Sequence, residues 1–309
     1  MNIKDIKKID IHAHAKRFPE YAPNFPWLPS TVLTMEQNLE IYDEINIESG
    51  VLLPIIDMVG QPQISTNEAC IDMARNSGGR FDWFMNVSPY ASFNKADDDL
   101  TYLFEHYIKL GAKGFGEVTS NIYVDDPKMD NLFSFIAQFK LPCTIHLYRS
   151  FDGSYGMVDE IHLPRLEKML KKYKDLKILG HSTVLWSELS GDVTEDTREK
   201  YNDTPVKEGG TLVRFLREYE NFCLDLSAGS GANALMRDRE FAAKLIEEFP
   251  DKIFYGCDIC NKVTTFHTTF SDFLEDMVKD GYISFENYVK VVRNNAAKLL
   301  GREEYKIEG

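Results

Sequence analysis

Seven histidines lie in the 309-residue chain, and four of them end short apolar runs. His12 and His14 close Ile9-Asp10-Ile11-His12-Ala13-His14, His146 closes Cys143-Thr144-Ile145-His146, and His181 closes Lys177-Ile178-Leu179-Gly180-His181. Two carboxylates fall in the same kind of place: Glu117 after Lys113-Gly114-Phe115-Gly116, and Asp258 after Phe254-Tyr255-Gly256-Cys257. Neutral imidazoles with a carboxylate are the donor set of a catalytic divalent ion that keeps one position open for water. Such an ion lowers the pKa of water from about 15.7 to roughly 7, which makes hydroxide available at neutral pH. Each residue alone has an ordinary explanation, since an HxH can cap a strand and a lone buried His or Asp is usually a hydrogen-bonded structural group. Their recurrence at the ends of separate runs is what points to a metal. Glu117 can bridge two ions, hydrogen-bond a ligand from behind, or sit in a structural salt bridge. His106, His162 and His267 fall in or beside helical patterns and read as surface or packing residues.

These residues can meet only if the strands that carry them lie side by side. Apolar, β-rich runs are found at 6–12, 51–56, 83–87, 114–118, 144–147, 177–180, 222–226 and 253–257. Amphipathic helical runs alternate with them at 35–44, 67–76, 97–110, 130–139, 164–173, 211–220, 239–249 and 264–279, and a ninth at 285–300 closes the chain. Strands separated by helices pair in parallel, because a parallel connection needs a crossover. About eight such units in this length predict a closed (β/α)8 TIM barrel, one domain over residues 1–309, with the site at the C-terminal ends of the strands. Residues i and i+2 of a strand face one side, so both His12 and His14 can face the barrel mouth. Two connections are longer than a barrel needs, 19–33 after the first strand and 185–210 after the sixth. Both are expected to form a lid or substrate pocket.

Bulk composition narrows the partners. Lys and Arg number 35 against 49 Asp and Glu, a net charge of −14. That surface repels nucleic acid and anionic membrane, which leaves a small-molecule substrate, with a homo-oligomer left open. A buried site makes its own local field, so an anionic substrate is not excluded. The opening MNIKDIKKIDIHAH mixes charges into its apolar positions and has no secretory apolar core, and no run is long enough to span a membrane. A cytoplasmic location is expected. Three of the five cysteines lie in strand-like segments and read as reduced core thiols, while Cys257 and Cys260 form a single CxxC, a weak zinc or redox signal.

The ordered motifs resemble the amidohydrolase superfamily, and within it the amidohydrolase-related group of predicted metal-dependent hydrolases of the TIM-barrel fold. The likeness rests on Ile9-Asp10-Ile11-His12-Ala13-His14, Gly114-Phe115-Gly116-Glu117, Ile145-His146, Ile178-Leu179-Gly180-His181 and Tyr255-Gly256-Cys257-Asp258. The tail Arg293-Asn294-Asn295-Ala296-Ala297-Lys298-Leu299-Leu300-Gly301 is similar to the family's closing helix, so the likeness spans essentially the whole chain. It implies that His12, His14 and His146 bind metal and that Asp258 both touches metal and shuttles the proton of the attacking water. His181 matches a histidine that polarises or protonates substrate in single-metal members and binds a second ion in two-metal members. No lysine ends the fourth strand, so the carbamylated-lysine bridge of dihydroorotase-like members is not expected. Glu117 resembles instead the bridging glutamate of the TatD-like branch.

One or two ions per chain are implied, zinc first and manganese as the alternative. The family holds both hydrolases of amides and lactones and non-oxidative decarboxylases of aromatic or enoic acids, and fold cannot choose between them. The leading expectation is hydrolysis of an amide, ester or lactone by metal-activated water, with decarboxylation as the alternative. Trp186, Arg149, Arg237 and Asn233 follow strands five to seven and are candidates to read the substrate. Each also has a structural alternative: loop packing for Trp186, ion pairs for the arginines, a turn for Asn233.

Overall fold

In the computed structural model, residues 3–21, 32–59, 61, 63–91, 94–261 and 265–307 are described. Eight staves are found: β1 (Lys8–Ala13), β2 (Ile47–Leu52), β3 (Phe81–Trp83), β4 (Phe115–Val118), β5 (Cys143–Tyr148), β7 (Ile178–His181), β8 (Phe222–Asp225) and β9 (Ile253–Phe254); six lie within or close to the expected runs, but β2 starts four residues before its run and ends at Leu52, and β3 meets its run only at Trp83. A two-residue strand, β6 (Met157–Val158), lies beside the end of β5 and is not a stave of the barrel. All pairings between strands are parallel, in the orders β1-β2-β3 and β4-β5-β7-β8-β9.

Backbone bonds just past the strand ends join these two arcs. Met85 N donates to Gly114 O at 2.9 Å and its carbonyl accepts from Gly116 N at 2.8 Å, linking the β3 side to β4. Ile11 N donates to Tyr255 O at 3.0 Å, and Asp258 N to His12 O at 2.9 Å, linking the β9 side to β1. The ring of eight is closed, as the alternation predicts. Ile9, Ile11, Val51, Leu53, Phe84, Leu179, Cys223 and Phe254 pack as one cluster with Ala296, Ala297 and Leu300 of the last helix, so apolar side chains fill the ring.

Helices α1 (Met35–Glu44) and α2 (Asn67–Asn76) occupy the predicted residues. A capping box between Thr34 and Gln37 starts α1, and the Thr66 hydroxyl caps α2. Helix α3 (Thr101–Lys109) begins four residues later than its amphipathic run, while α4 (Pro127–Gln138) begins three earlier because Asp126 caps it and Pro127 opens its first turn. Helix α5 (Pro164–Lys172) follows β6.

Two helices were not legible in the sequence: α6 (Thr183–Ser187), one short turn after β7, and α8 (Ala228–Met236), whose sequence AGSGANALM shows no amphipathic stripe. Between them lies α7 (Thr211–Glu218), and α9 (Arg239–Glu248) and α10 (Phe266–Lys279) follow. The closing run 285–300 is helical throughout, as α11 (Phe285–Val289), a π-turn over Lys290–Asn294, and α12 (Asn295–Leu300). The Val291 carbonyl in that turn accepts from Tyr255 N at 3.0 Å and ties the helix to the barrel.

Most of the expected first-strand lid lies outside the described residues. The long connection after β7 is anchored by Arg198, which is 1% exposed and donates to the carbonyls of Asp159 and Glu160 at 3.2 and 3.0 Å. Buried Glu188 stands 3.7 Å from its Nε. Among the described residues no helix is long and apolar enough to cross a membrane.

Candidate metal centre

His12 lies in β1, and His14 follows one residue past the strand's end. A shift in the β1–β2 register between Asp10 and Ala13 accompanies the change of direction there. Buried Asp10 fixes this corner, accepting from His12 N at 2.9 Å, Cys257 N at 2.8 Å and the Tyr42 hydroxyl at 2.5 Å. The result brings His12 Nε2 within 3.0 Å of His14 Nε2. Each ring is held from behind. His12 Nδ1 lies 2.6 Å from Asp225 Oδ2, and His14 Nδ1 lies 2.9 Å from Leu53 O. A carbonyl or carboxylate can only accept, so both Nδ1 atoms carry the proton when the rings are neutral. Two Nε2 lone pairs then face one another, an arrangement relieved by a proton or a metal ion between them.

Glu117, at the end of β4, completes the donor set. Its Oε2 stands 3.5 Å from His12 Nε2 and 3.3 Å from His14 Nε2. Bonds of about 2.0–2.2 Å to one ion put its donors roughly 3.0–3.5 Å apart, which these spacings match. Gly116 makes room for this strand end: its φ is +117°, and a Cβ there would lie 2.4 Å from the Thr144 carbonyl oxygen. Asp258 Oδ1 is 3.6 Å from His14 Nε2 and 4.0 Å from His12 Nε2, while its Oδ2 is 3.8 Å from His181 Nε2. The other Glu117 oxygen, Oε1, lies 2.8 Å from His146 Nδ1. Two donor sets therefore share Glu117, His12–His14–Glu117 and Glu117–His146–His181. His146 meets the β1 pair through that shared carboxylate and through the His181 ring, which lies 5.3 Å from its own and 4.7 Å from that of His12.

The electrostatics ask for positive charge at the same spot. Burial by itself pushes the His12 imidazole down, but Asp225, Glu117 and Asp258 outweigh it and hold its pKa well above the ordinary value. Glu117 shows the converse: burial would raise it, yet the imidazoles of His12, His14 and His146 hold it well below the usual carboxylate range. Asp225 is also held low, its burial outweighed by His12. His181 differs, because burial and then its neighbour His12 push it down to about 4. A divalent cation would satisfy the carboxylates and both inward lone pairs at once, so the residues fit such an ion.

The backbone that presents these groups is unusual. Asp258 has φ +48°, Ser182 beside His181 has φ +118°, and Ala228 beside Ser227 has φ +63°. Three non-glycine residues in left-handed conformations at the strand ends are strain concentrated where the side chains must be aimed.

Of the proposed substrate readers, Trp186 lies in α6, Asn233 within α8 and Arg237 at its C-terminal cap, and the three line one crevice. Arg149 is apart from them, paired with Glu199 at 2.8 Å. Several residues at the centre escaped the sequence reading. Asp225 backs His12, and Ser227 Oγ lies 3.0 Å from His181 Nδ1. The Tyr155 ring packs 4.7 Å from that of His146, and the Cys260 thiol donates to Asp258 Oδ1 at 3.3 Å. All five cysteines are free, so the CxxC forms no disulfide.

The barrel is that of solved amidohydrolase and decarboxylase structures. An amidohydrolase from Burkholderia multivorans with bound HEPES superposes on 96% of this chain and 99% of its own, at TM-score 0.60 and 12% identity. A probable 2-pyrone-4,6-dicarboxylic acid hydrolase from Acinetobacter baumannii, solved with citric acid, covers 96% and 99% at TM-score 0.57 and 14% identity. A dihydroxybenzoic acid decarboxylase from a Polaromonas species, solved with manganese and 2-nitroresorcinol, covers 95% and 96% at TM-score 0.56 and 16% identity. At these identities the likeness establishes the fold. No protein-family model and no curated protein sequence matches the chain.

Proposed function

We propose that this chain is a metal-dependent enzyme of the amidohydrolase superfamily that hydrolyses an amide, ester or lactone bond of a small molecule. The observation that carries the reading is the convergence of the His12 and His14 Nε2 atoms, 3.0 Å apart beside Glu117, with Asp258 across the opening. His12, His14, Glu117 and Asp258 would hold one divalent ion, and His146 and His181, across Glu117, are available to a second. Imidazole donors favour zinc, and the carboxylates leave manganese as the alternative. When bound, the ion supplies a Lewis acid and makes water acidic enough to ionise near neutral pH.

The protein's own groups do the rest. Asp258, 18% exposed at the opening, takes the proton of the attacking water and delivers it to the leaving group. His181 is neutral at pH 7, given a pKa of about 4. In the one-ion site, where the Ser227 hydroxyl 3.0 Å away donates to Nδ1, the ring proton is on Nε2 and faces the opening, where it stabilises a developing oxyanion; a second ion would take that nitrogen instead.

Decarboxylation is the second reading, supported by the fold's likeness to the manganese-bearing decarboxylase. In it Asp258 or His181 protonates the carbon that loses its carboxylate. The test is turnover of lactones, N-acyl compounds and aromatic carboxylates by metal-loaded protein in isotopically labelled water. Solvent oxygen in the product acid is the expected result. Stoichiometric carbon dioxide with carbon-bound deuterium and no oxygen incorporation would replace hydrolysis with decarboxylation.

A further inference from the structure

Glu117 is the residue that the donor sets His12–His14–Glu117 and Glu117–His146–His181 have in common, so its position governs both. The regular sheet does not fix that position. The β4–β5 register breaks between Phe115 and Val118, the interval that holds Glu117. On the β3 side, the backbone rungs from Met85 reach Gly114 and Gly116 and go no further among the described residues.

The next residue, Asn86, supplies a bond at that point with its side chain. It is 3% exposed, and its Nδ2 donates to the Glu117 carbonyl at 2.7 Å and to the Pro54 carbonyl at 3.0 Å. A side-chain amide has two N–H donors, and both are engaged here. The chain segments leaving β2, β3 and β4 therefore meet on one nitrogen. The backbone of Asn86 is held in turn by buried Asn67, the first residue of α2. Asn86 N donates to Asn67 Oδ1 at 2.8 Å, and Asn67 Nδ2 donates to the Asn86 carbonyl at 2.8 Å. Without the Asn86 amide, two buried carbonyls lose a donor and the peptide of Glu117 is free to turn, carrying its carboxylate off the point where the two donor sets meet.

We propose that Asn86 is a positioning residue of the metal centre: its amide, set by Asn67, holds the Glu117 backbone so that the shared carboxylate stays aimed at both donor sets. Asn86 touches no metal donor atom and acts through Glu117 alone. This rests on the reading of the centre as a metal site.

The test is equilibrium dialysis of zinc and of manganese onto metal-stripped protein, with thermal melts of each stripped variant. Asn86→Ala should weaken every ion that the parent binds by about tenfold or more, because Glu117 serves both sets. Asn67→Ala, which leaves the Asn86 amide in place but frees its peptide, should lose several-fold and serves should Asn86→Ala not fold. Asn221 is the control: buried ahead of β8, at the opposite end of the barrel, it donates to the carbonyls of Leu170 and Tyr173 at 3.2 and 2.9 Å. Asn221→Ala should lower the melting temperature and leave metal affinity unchanged. Cobalt-loaded protein adds a signature, since the visible bands of Asn86→Ala should shift while those of Asn221→Ala coincide with the parent's. Parent-like affinity in the Asn86 and Asn67 variants would overturn the proposal, as would affinity that falls in step with melting temperature in all three. A parent protein that binds neither ion would refute the metal reading itself.

Discussion

A histidine offers a metal one nitrogen, and the group that holds the other decides which. For His12 that group is Asp225, fully buried, 2.6 Å from Nδ1 and also accepting from Ser227 N at 3.0 Å. Asp225→Asn keeps the shape but can present an N–H to Nδ1, which moves the ring proton to Nε2 and turns a donor atom away from the metal. Metal affinity should fall about 10- to 100-fold, measured by equilibrium dialysis. Affinity equal to that of the parent would show that Asp225 is not what orients the ring. At this scale the site is legible where a polar residue stops an apolar run, as at His146, His181 and Asp258. Asp225 obeys the same rule but is hidden, because Leu226 follows it and the run Phe222-Cys223-Leu224 reads as continuing through it. Ser227, Tyr155 and Cys260 reach the centre through the path of loops, and their spacing carries no trace of that.

Amphipathic helices and apolar strands were legible because burial imposes a period on them, and α1 and α2 fall on the expected residues for that reason. Helix α8 is built from Gly, Ala and Ser and packs by closeness rather than by an apolar stripe, so no period announces it. Charge pairing between helices was equally hidden. Glu167 on α5 accepts from both terminal nitrogens of Arg214 on α7 at 2.9 and 3.1 Å, and from the Tyr219 hydroxyl at 2.6 Å. Arg214 above all, then Lys171 and Tyr219, hold its carboxyl well below the usual range. A carboxylate depressed in the folded state contributes stability above the unfolded pKa of about 4.5, and that stability is lost as pH falls further. Glu167→Gln should therefore cost about 1 kcal/mol at pH 7, given how exposed the pairs are. Its denaturation midpoint should converge on that of the parent protein as pH drops below about 4.5. A constant difference across that range would mean that packing, not charge, accounts for the effect.

Across the whole molecule, one closed ring draws residues from both ends of the chain to a single mouth: His12 and Asp258 are 246 positions apart, yet Asp258 N donates to His12 O at 2.9 Å. The alternation of runs predicted that closure, since eight βα units in a chain of this length is the count of a barrel. The ring also sorts the thiols. Cys70, Cys143, Cys223 and Cys257 are buried, and only Cys260 is partly exposed, with its sulfur 3.3 Å from Asp258 Oδ1. Burial and then Asp258 push that thiol up, so it should alkylate slowly at neutral pH and faster in alkali. Native protein should accept one maleimide per chain, at Cys260, counted by intact mass and located by peptide mapping. Two or more adducts would show that the barrel opens. Whatever occupies the mouth must shield the same sulfur, so the rate of this one adduct reads out vacancy: the chain carries a built-in tag whose labelling clock runs only while its doorway stands open.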